Sequence, residues 1–252
     1  MVQNRIFMSI SIGSIRSRVS ATYTGLFWLL FCLAFLAPVA SPSAALPPDY
    51  QGKPFEDAFH KTGIPSIPGI VQCALYDLGG EGVGYHDADG INHGSGELNQ
   101  EKGHQRAHAC AYIWNFRRDE GVDISYVKDW ADLNHTNMVS PQINQFYIGW
   151  TMNAEWCNYT VNVTSAGTYR IKALYSYQAN SVTFDLNGKP AATCKLPVAT
   201  TSYHFWNFAD IGVITFPETG RQLLTFHYGF GNNFAYFEFE KVESVAKETT
   251  PK

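Results

Sequence analysis

The sequence predicts an all-β fold, either a β-sandwich or a jelly roll, on three observations. Aromatic residues make up 15% of the 252 residues, a share that suits half-buried pleated surfaces. Short runs of alternating polarity recur, with turn signals roughly every ten residues beyond Asp123. The helical repeat of apolar residues is rare. Many short strands joined by turns are typical of sandwiches and jelly rolls.

The alternation of apolar and polar residues places the individual strands. In the run 155–163, Cys157, Tyr159 and Val161 share one face, and Asn158 and Asn162 share the other. The Asn187-Gly188 pair is a strong hairpin signal between two such runs. Strands are expected at residues 71–75, 145–150, 155–163, 168–177, 181–186, 191–196, 204–215, 221–228 and 234–242.

The N-terminal segment is predicted to lie outside the fold. Three arginines precede an apolar run at residues 26–36, and small residues follow at 40–45. This order resembles a secretory signal cleaved after Ala45, because the run is shorter than the roughly 20 apolar residues of a membrane span. A retained signal anchor is the alternative, which would add a membrane partner. The predicted organisation is therefore a signal at 1–45, a lead-in linker at 46–66, one domain at 67–242 and a polar tail at 243–252.

Export agrees with the sequons and the cysteines. Glycosylation sequons begin at Asn134, Asn158 and Asn162. Beyond the signal, four cysteines can form two disulfides in an oxidising compartment, with three pairings left open. A zinc site is the rival, disfavoured because no close Cys-x-x-Cys pair occurs. The candidates for disulfide bonding are Cys73, Cys110, Cys157 and Cys194.

Charge and motifs argue against several function classes. The net charge is −4 with 16% charged residues, so a nucleic-acid partner, which needs a basic surface, is not expected. Glu81, Glu120, Asp123 and Glu155 are catalytic candidates by residue type only. The Gly-x-Ser-x-Gly and His-Glu-x-x-His patterns are absent from the sequence, so no enzyme is predicted.

Metal-ligand types occur without a metal-site pattern. Five of the eight histidines lie in the polar stretch 86–135 at irregular spacing, as solvated loop histidines do: His86, His93, His104, His108 and His135. Asp87, Asp89 and Asn92 offer oxygen ligands but lack the twelve-position calcium loop. No metal is therefore predicted from the residues themselves.

A glycine-rich turn at residues 76–87 is the most distinctive stretch. Gly79, Gly80, Gly82 and Gly84 indicate a shaped turn, since glycine reaches positive φ without steric cost. Such a turn can hold Glu81 in a fixed geometry, or it can simply connect two strands.

An ordered set of motifs resembles carbohydrate-binding module family 6. Residues 67–77 run into the glycine turn, and Phe116-Arg117 is followed by residues 120–124. Residues 148–151, 155–163 and 166–169 continue the set, which ends at Asn233 and residues 236–239. The resemblance covers about residues 67–241 and implies a galactose-binding-like β-sandwich. The insertion 92–99 resembles a subgroup often attached to glycoside hydrolases.

The resemblance implies a ligand cleft in the loops at one end of the sandwich. By position, Glu81 accepts hydrogen bonds from sugar hydroxyls, and Phe116 supplies a stacking ring. Tyr203 or Trp206 supplies the other ring, and Asn233 forms polar contacts at the floor of the cleft. Phe116 lacks the phenol hydroxyl usual at its position, so one polar contact is lost there.

The resemblance also implies a structural calcium, which this sequence does not support. The two family carboxylate positions are occupied by Ala74 and Ala235, and methyl groups cannot ligate a hard cation. We expect no calcium and hypothesise that disulfides clamp the sandwich in its place.

The sequence therefore predicts a secreted, non-catalytic domain that binds a polysaccharide or other glycan by aromatic stacking and hydrogen bonds. The alternative is a structural or adhesive cell-surface glycoprotein that keeps the sandwich and has lost sugar binding.

Overall fold

A computed structural model of the chain describes residues 43–61, 63–105 and 109–243. The predicted signal lies outside the described residues up to residue 42, and the polar tail lies outside them from residue 244. None of the helices in the described ranges combines the length and the apolar character needed to cross a membrane.

The described residues form thirteen strands and a few short helical segments. The helices are α1 (Ala111–Trp114) and α2 (Asp129–Asp132), with 3₁₀ turns at Cys73–Leu75 and Leu98–Gln100 and a π turn at His93–Glu97. The strands are β1 (Ser43–Ala44), β2 (Ser66–Ile67), β3 (Gly69–Gln72), β4 (Tyr85–His86), β5 (Ile124–Tyr126), β6 (Phe146–Ile148), β7 (Trp156–Val163), β8 (Gly167–Tyr177), β9 (Ser181–Leu186), β10 (Lys189–Lys195), β11 (Trp206–Phe216), β12 (Thr219–His227) and β13 (Asn232–Lys241).

Two sheets pack face to face, which confirms the predicted β-sandwich. The first sheet has the order β10-β9-β12-β7-β2, with β1 beside β12 and β4 beside β7. The second has the order β11-β8-β13-β6-β5, with β3 beside β13. Phenylalanine rings join the two sheets, since Phe237 of the second sheet lies 5.1 Å from Phe184 and 4.5 Å from Phe226 of the first. These rings belong to one large buried core.

The second sheet also buries part of its opposite face. A smaller buried cluster there consists of Val127, Tyr147, Leu174, Trp206 and Ala235. The segments around β5 and α2 cover this face, so residues that alternation assigns to the outside of the sheet are enclosed. This outer cluster supports the loops at one end of the sandwich.

Strand β7 shows the same covering on the first sheet. Its inward residues Cys157, Tyr159 and Val161 are buried as predicted. Asn158, predicted to face outward, is only 7% exposed. Its Nδ2 donates to the carbonyl of Val83 at 2.8 Å, and its Oδ1 accepts from Thr225 Oγ1 at 2.6 Å. The glycine turn covers this face, so the predicted outward orientation of Asn158 is wrong.

The four cysteines among the described residues are free thiols, so the prediction of two disulfides is not met in the structure. Cys73, Cys157 and Cys194 are buried and Cys110 is exposed. The hydroxyl of Tyr228 donates to Cys157 Sγ at 2.8 Å. The described sandwich is thus held by packing and hydrogen bonds, and the hypothesis of a disulfide clamp loses its support.

The lead-in segment packs against the sandwich through backbone and side-chain contacts. Lys53 and Leu78 exchange backbone hydrogen bonds of 2.9 and 2.7 Å. The hydroxyl of Tyr50 donates to Asp77 at 2.7 Å, and the ring of Phe55 meets Phe116 edge-on at 5.5 Å. The described residues of the lead-in, 46–61 and 63–66, therefore form an additional layer beside the glycine turn.

Arg117 joins this layer to the rest of the domain. Its side chain is 3% exposed and pairs with Glu120 at 2.8 Å. It donates to the carbonyl of Tyr76 at 2.5 Å and lies 3.4 Å from the centre of the Tyr76 ring. It also lies over Phe55 at 4.7 Å. One guanidinium thereby forms an ion pair with a carboxylate, a hydrogen bond to a buried carbonyl and cation–π contacts with two rings.

Replacing Arg117 by alanine should therefore lower the free energy of unfolding by about 3 kcal/mol, because a buried carbonyl and Glu120 lose their partner. Denaturant unfolding measures the change. Arg170→Ala is the matched control, since its pair with Asp210 is about half exposed on both sides. That control should cost at most about 1 kcal/mol. Equal costs for the two variants would contradict the role given to Arg117.

Glycan occupancy should differ between two of the sequons when the chain is produced through a secretory pathway. Asn134 is exposed, whereas a glycan on Asn158 would remove both hydrogen bonds of its amide. We expect peptide mass spectrometry of the folded protein to find glycan on Asn134 and none on Asn158. A glycan on Asn158 in folded material would show that the covering of β7 is wrong.

Candidate functional site

A cleft of about 210 Å³ opens at one end of the sandwich. The last residues of β6 and the first residues of β11 and β13 meet at this end. We call it the loop-end cleft. It is lined by Leu98, Tyr147, Trp150, Tyr203, His204 and Asn233.

Trp150 presents an exposed ring at the cleft. It follows β6, is 38% exposed and has a φ of 48°, which is unusual for a bulky side chain. The residue before it is glycine, and a Cβ on Gly149 would lie 2.7 Å from Asn233 Oδ1, so a larger residue there would displace the Asn233 amide. The Gly149-Trp150 pair thus turns the chain sharply and brings the indole and the Asn233 amide together.

Tyr203 supplies a second exposed ring, and hydrogen bonds to its backbone carbonyl fix its position. Its carbonyl accepts from Asn233 Nδ2 at 2.8 Å and from Ser176 Oγ at 2.6 Å. Its ring packs on Tyr177 with the centroids 4.2 Å apart. Tyr203 is 42% exposed, so one side of a fixed ring remains available.

His204 is oriented by a buried carboxylate. Asp132, fully buried on α2, lies 3.0 Å from His204 Nδ1. The same Asp132 oxygen accepts from Trp206 Nε1 at 2.8 Å, and its other oxygen accepts from the backbone N–H of Lys128 at 2.7 Å. Nε2 of His204 has no hydrogen-bond partner among the described residues. The cleft therefore contains an oriented imidazole with one nitrogen free.

The insertion 92–99 forms one wall of the cleft through Leu98. It docks on β5: Asn92 Oδ1 accepts from the backbone N–H groups of Ser95 and Ile124, at 2.8 and 3.1 Å. Ser95 Oγ donates to the carbonyl of Ile124 at 3.0 Å. Gly94 allows this contact, since a Cβ there would lie 2.0 Å from that carbonyl oxygen.

The structure brings two of the five predicted sugar-contacting residues to the cleft and separates the others from it. Tyr203 and Asn233 line it. Glu81 lies in the glycine turn, where it contacts His86 Nδ1 at 2.5 Å and the backbone N–H of Asp87 at 3.1 Å. Glu81 does not line the cleft.

Phe116 and Trp206 are corrected, because both rings are buried. Phe116 is 3% exposed and stacks on Phe146 with the centroids 4.1 Å apart. Trp206 is fully buried, with its indole N–H bound to Asp132. Neither ring can serve as a sugar platform without opening the fold.

Sequence reasoning missed Leu98, Tyr147, Trp150 and His204. Trp150 lies within the motif 148–151. The sequence signal for it is a glycine followed by an aromatic residue at the end of a strand. Nothing in the alternation of residues separates Tyr147, which faces the outer cluster, from an ordinary core tyrosine. His204 depends on its distance to Asp132, which the sequence does not reveal.

Residues 132–239 match the family model for carbohydrate binding module family 35. The matched region contains five of the six cleft residues and stops short of the insertion that provides Leu98. It covers less than half of the chain. The sequence resemblance was to family 6, so the statement common to both is that this region is similar to carbohydrate-binding modules.

Solved structures similar to the chain include two carbohydrate-binding modules. CsCBM6-3 from Clostridium stercorarium, in complex with cellobiose, is 15% identical, with 71% of this chain and 98% of that chain covered at a TM-score of 0.40. The module CBM6cm-2 from Cellvibrio mixtus lichenase 5A, in complex with cellotriose, is 23% identical, with 39% and 79% covered at a TM-score of 0.34. Likenesses of this size carry no argument about ligands. No curated protein matches the chain.

The calcium positions implied by the family resemblance do not fit a cation. Ala74 is 1% exposed in the main core, and Ala235 is fully buried in the outer cluster. Neither provides a side-chain oxygen. In the described ranges, no group of three or more histidine, cysteine or acidic side chains is arranged to hold a metal.

Buried carboxylates brace the loop that carries Trp150. Glu155 accepts from the backbone N–H of Met152 at 2.7 Å and from that of Ala88 at 3.2 Å. Asp123 accepts from the backbone N–H of His93 at 2.5 Å. Burial raises the pKa of Asp123 to about 8. Burial and the nearby Glu155 carboxylate raise the pKa of Asp87 to about 7.

These raised pKa values predict that the fold is more stable in mild acid than in mild base. An unfolded aspartate titrates near 3.9, so the stabilisation is full below that pH and is lost as the pH rises through about 7–8. The melting temperature should fall between pH 5 and pH 8.5.

Asp123→Asn should flatten this pH dependence, because an amide keeps the hydrogen bond to His93 without a charge. Asp210→Asn, at a half-exposed position, is the control and should leave the slope unchanged. A melting temperature that rises towards pH 8.5 would contradict the assignment.

Proposed function

We propose that the loop-end cleft binds a carbohydrate and that the domain is a non-catalytic glycan-binding module. The observation that carries the proposal is the pairing of two exposed rings, Trp150 and Tyr203, with Asn233 and His204 around one cavity. The match of residues 132–239 to a carbohydrate-binding family supports it independently.

The rings suit the apolar face of a sugar. The C–H groups of a pyranose form a hydrophobic face, and an exposed aromatic ring covers that face while leaving the hydroxyls at its edge. Each ring contact contributes about 0.5–1.5 kcal/mol beyond the burial of area. With two rings in a small cleft, we expect modest affinity for a single chain.

The polar groups suit hydroxyls. Asn233 Nδ2 is engaged by the carbonyl of Tyr203, whereas its Oδ1 has no hydrogen bond to the described residues. His204 adds the free Nε2. Nδ1 of His204 donates to Asp132, so Nε2 and the Asn233 oxygen are both acceptors, and sugar hydroxyls that donate to them can fix the orientation of a stacked ring.

Backbone strain near the cleft supports a functional role. Trp150, Ala154 and Tyr177 have φ values of 48°, 75° and 81°, in a region that residues with side chains seldom occupy. Trp150 is one of the two exposed rings, and Tyr177 packs against the other, Tyr203. Strain of this kind tends to concentrate at binding sites.

We further propose that the domain is exported and meets its glycan outside the cell, either free or held by an uncleaved signal anchor. The order of basic, apolar and small residues before Ala45 and the exposed sequon at Asn134 support export.

A structural or adhesive glycoprotein remains the second candidate. It is favoured by one observation: Phe116 and Trp206, two of the rings predicted to stack on sugar, are buried. The two candidates differ in whether the loop-end cleft binds any glycan.

Trp150→Ala should reduce glycan binding at least tenfold without altering the melting temperature, because the ring is exposed and belongs to neither buried cluster. A glycan array identifies the ligand, and calorimetry then measures the affinity. Cellobiose and cellotriose, which are bound in similar structures, belong in the panel. Phe230→Ala is the control, since Phe230 is 52% exposed but does not line the cleft.

An array without binding at high protein concentration would favour the structural candidate. Equal losses in the Trp150 and Phe230 variants would show that the loop-end cleft is not the binding site.

A further inference from the structure

We propose that a second cavity, on the side of the sandwich, binds a small neutral polyol the size of one sugar ring, independently of the loop-end cleft. The cavity has a volume of about 300 Å³ and lies between the lead-in and strands β3 and β7. We call it the side cavity. Its lining includes Phe55, His60, Ser66, Gln72, Leu75 and Asp77.

The lead-in forms one wall of the side cavity and is fixed at both ends. The Lys53–Leu78 backbone pair holds it on one side of the cavity. Strand β2, which pairs with β7 in the register Ser66↔Asn162, holds it on the other. Phe55 packs on Phe116 between these points. Residues 54–66 lie outside the region that matches the carbohydrate-binding family, so this wall is a feature of this chain.

Side chains on the lead-in and α1 fix the imidazole of His60. Tyr112 donates to Asp57 Oδ2 at 2.6 Å, and His60 Nδ1 lies 3.1 Å from Asp57 Oδ1 and 2.8 Å from the Tyr112 hydroxyl. Since the tyrosine proton is used on the carboxylate, the network assigns the ring proton to Nδ1. Nε2 then carries a lone pair and has no partner among the described residues.

Gln72 provides the complementary group. Its Oε1 accepts from Gln145 Nε2 at 2.9 Å, which leaves its own amide nitrogen without a partner in the described part of the chain. The lining therefore combines an acceptor, His60 Nε2, with a donor, Gln72 Nε2, and the exposed hydroxyl of Ser66. Hydroxyl groups satisfy both kinds of partner, as neither a purely donating nor a purely accepting ligand can.

Among the described residues that line the side cavity, the one carboxylate, Asp77, already has hydrogen-bond partners. Asp77 accepts from Tyr50, from Thr160 Oγ1 at 2.6 Å and from the backbone N–H of Thr160 at 2.9 Å. The Asp57 carboxylate is bound by Tyr112 and His60. A charged ligand would lose its hydration without gaining an opposite charge. Phe55 and Leu75 give the cavity an apolar side, which fits the C–H face of a ring.

The volume limits the ligand to a small molecule. Small-molecule sites usually span roughly 300–1,000 Å³, and the side cavity lies at the lower end of that range. The ligand is either a free monosaccharide or the terminal unit of a longer chain. The two sources share one chemistry and can be distinguished by experiment.

The test uses the full chain carrying Trp150→Ala, so that the loop-end cleft no longer contributes. Ligand-observed NMR with glucose, galactose, mannose, xylose and arabinose, each beside its β-linked methyl glycoside, detects binding and distinguishes a free monosaccharide from a chain end. We expect at least one of these probes to bind this variant and to bind at least tenfold more weakly when His60→Ala is added.

His227→Ala is the matched control for His60→Ala. His227 pairs with Asp185 at 3.0 Å, and its side chain is 32% exposed against 29% for His60, but it lies between β12 and β9 away from the side cavity. Ser66→Trp is the second test variant. It fills the cavity from an exposed position without touching the Asp57–His60–Tyr112 contacts, and it should also abolish binding.

Three results would overturn the proposal. The first is binding to wild type that Trp150→Ala removes completely, which would leave the loop-end cleft as the site and reject only the side cavity. The second is equal affinity in the His60→Ala and His227→Ala backgrounds together with unchanged binding in Ser66→Trp. The third is the absence of binding of any probe to wild type or variant.

Discussion

The buried guanidinium of Arg117 is the constraint on which the arrangement of this domain depends. It binds the carbonyl of Tyr76 where the chain leaves the first strands, and it pairs with Glu120. It also contacts Phe55 of the lead-in. Because a buried cation has to keep all its partners, the three segments are held in one relative position. The glycine turn, the lead-in and the stretch before β5 can therefore be treated as one structural unit.

This unit lies on the side of the sandwich, whereas the loop-end cleft lies at one end of the sandwich. The insertion connects the two regions, because Asn92 and Ser95 dock on β5 and Leu98 reaches the cleft. Glu155 strengthens the connection by accepting hydrogen bonds from the backbone N–H of Ala88, which follows the glycine turn, and from that of Met152, in the loop that carries Trp150. A rigid sandwich with such braced loops is suited to recognition, since the rings do not need to be ordered when a ligand arrives.

Much of the fold was predictable from the sequence, because period-2 alternation reports directly on which face of a strand is buried. Strand β9 was predicted with its observed bounds, and Asn187-Gly188 forms the predicted hairpin to β10. Alternation failed where a second layer covers the outer face of a sheet, as at Asn158, since the covering segment is distant in sequence. The cysteines misled for a related reason: their number and the predicted compartment permit disulfides, but pairing depends on distances that the sequence does not give.

The candidate site was predictable in kind and only partly in detail. Tyr203 and Asn233 come together because β13 begins where the loop before β11 passes. Phe116 was assigned by its place before Arg117, yet its ring stacks inward on Phe146. Trp150 was not predicted as a site residue because the strand expected at 145–150 includes it, whereas β6 ends at Ile148. A ring at a strand end points to a site only when the backbone turn after the strand is known.

The φ of Trp150 has a further consequence. A left-handed backbone at a bulky residue costs roughly 1–3 kcal/mol, and glycine would occupy the same conformation without that cost. At this position glycine would favour thermal stability, whereas tryptophan provides the exposed ring. Engineering the domain for heat resistance by relieving torsional strain would therefore replace Trp150 by glycine and remove an exposed indole from the surface.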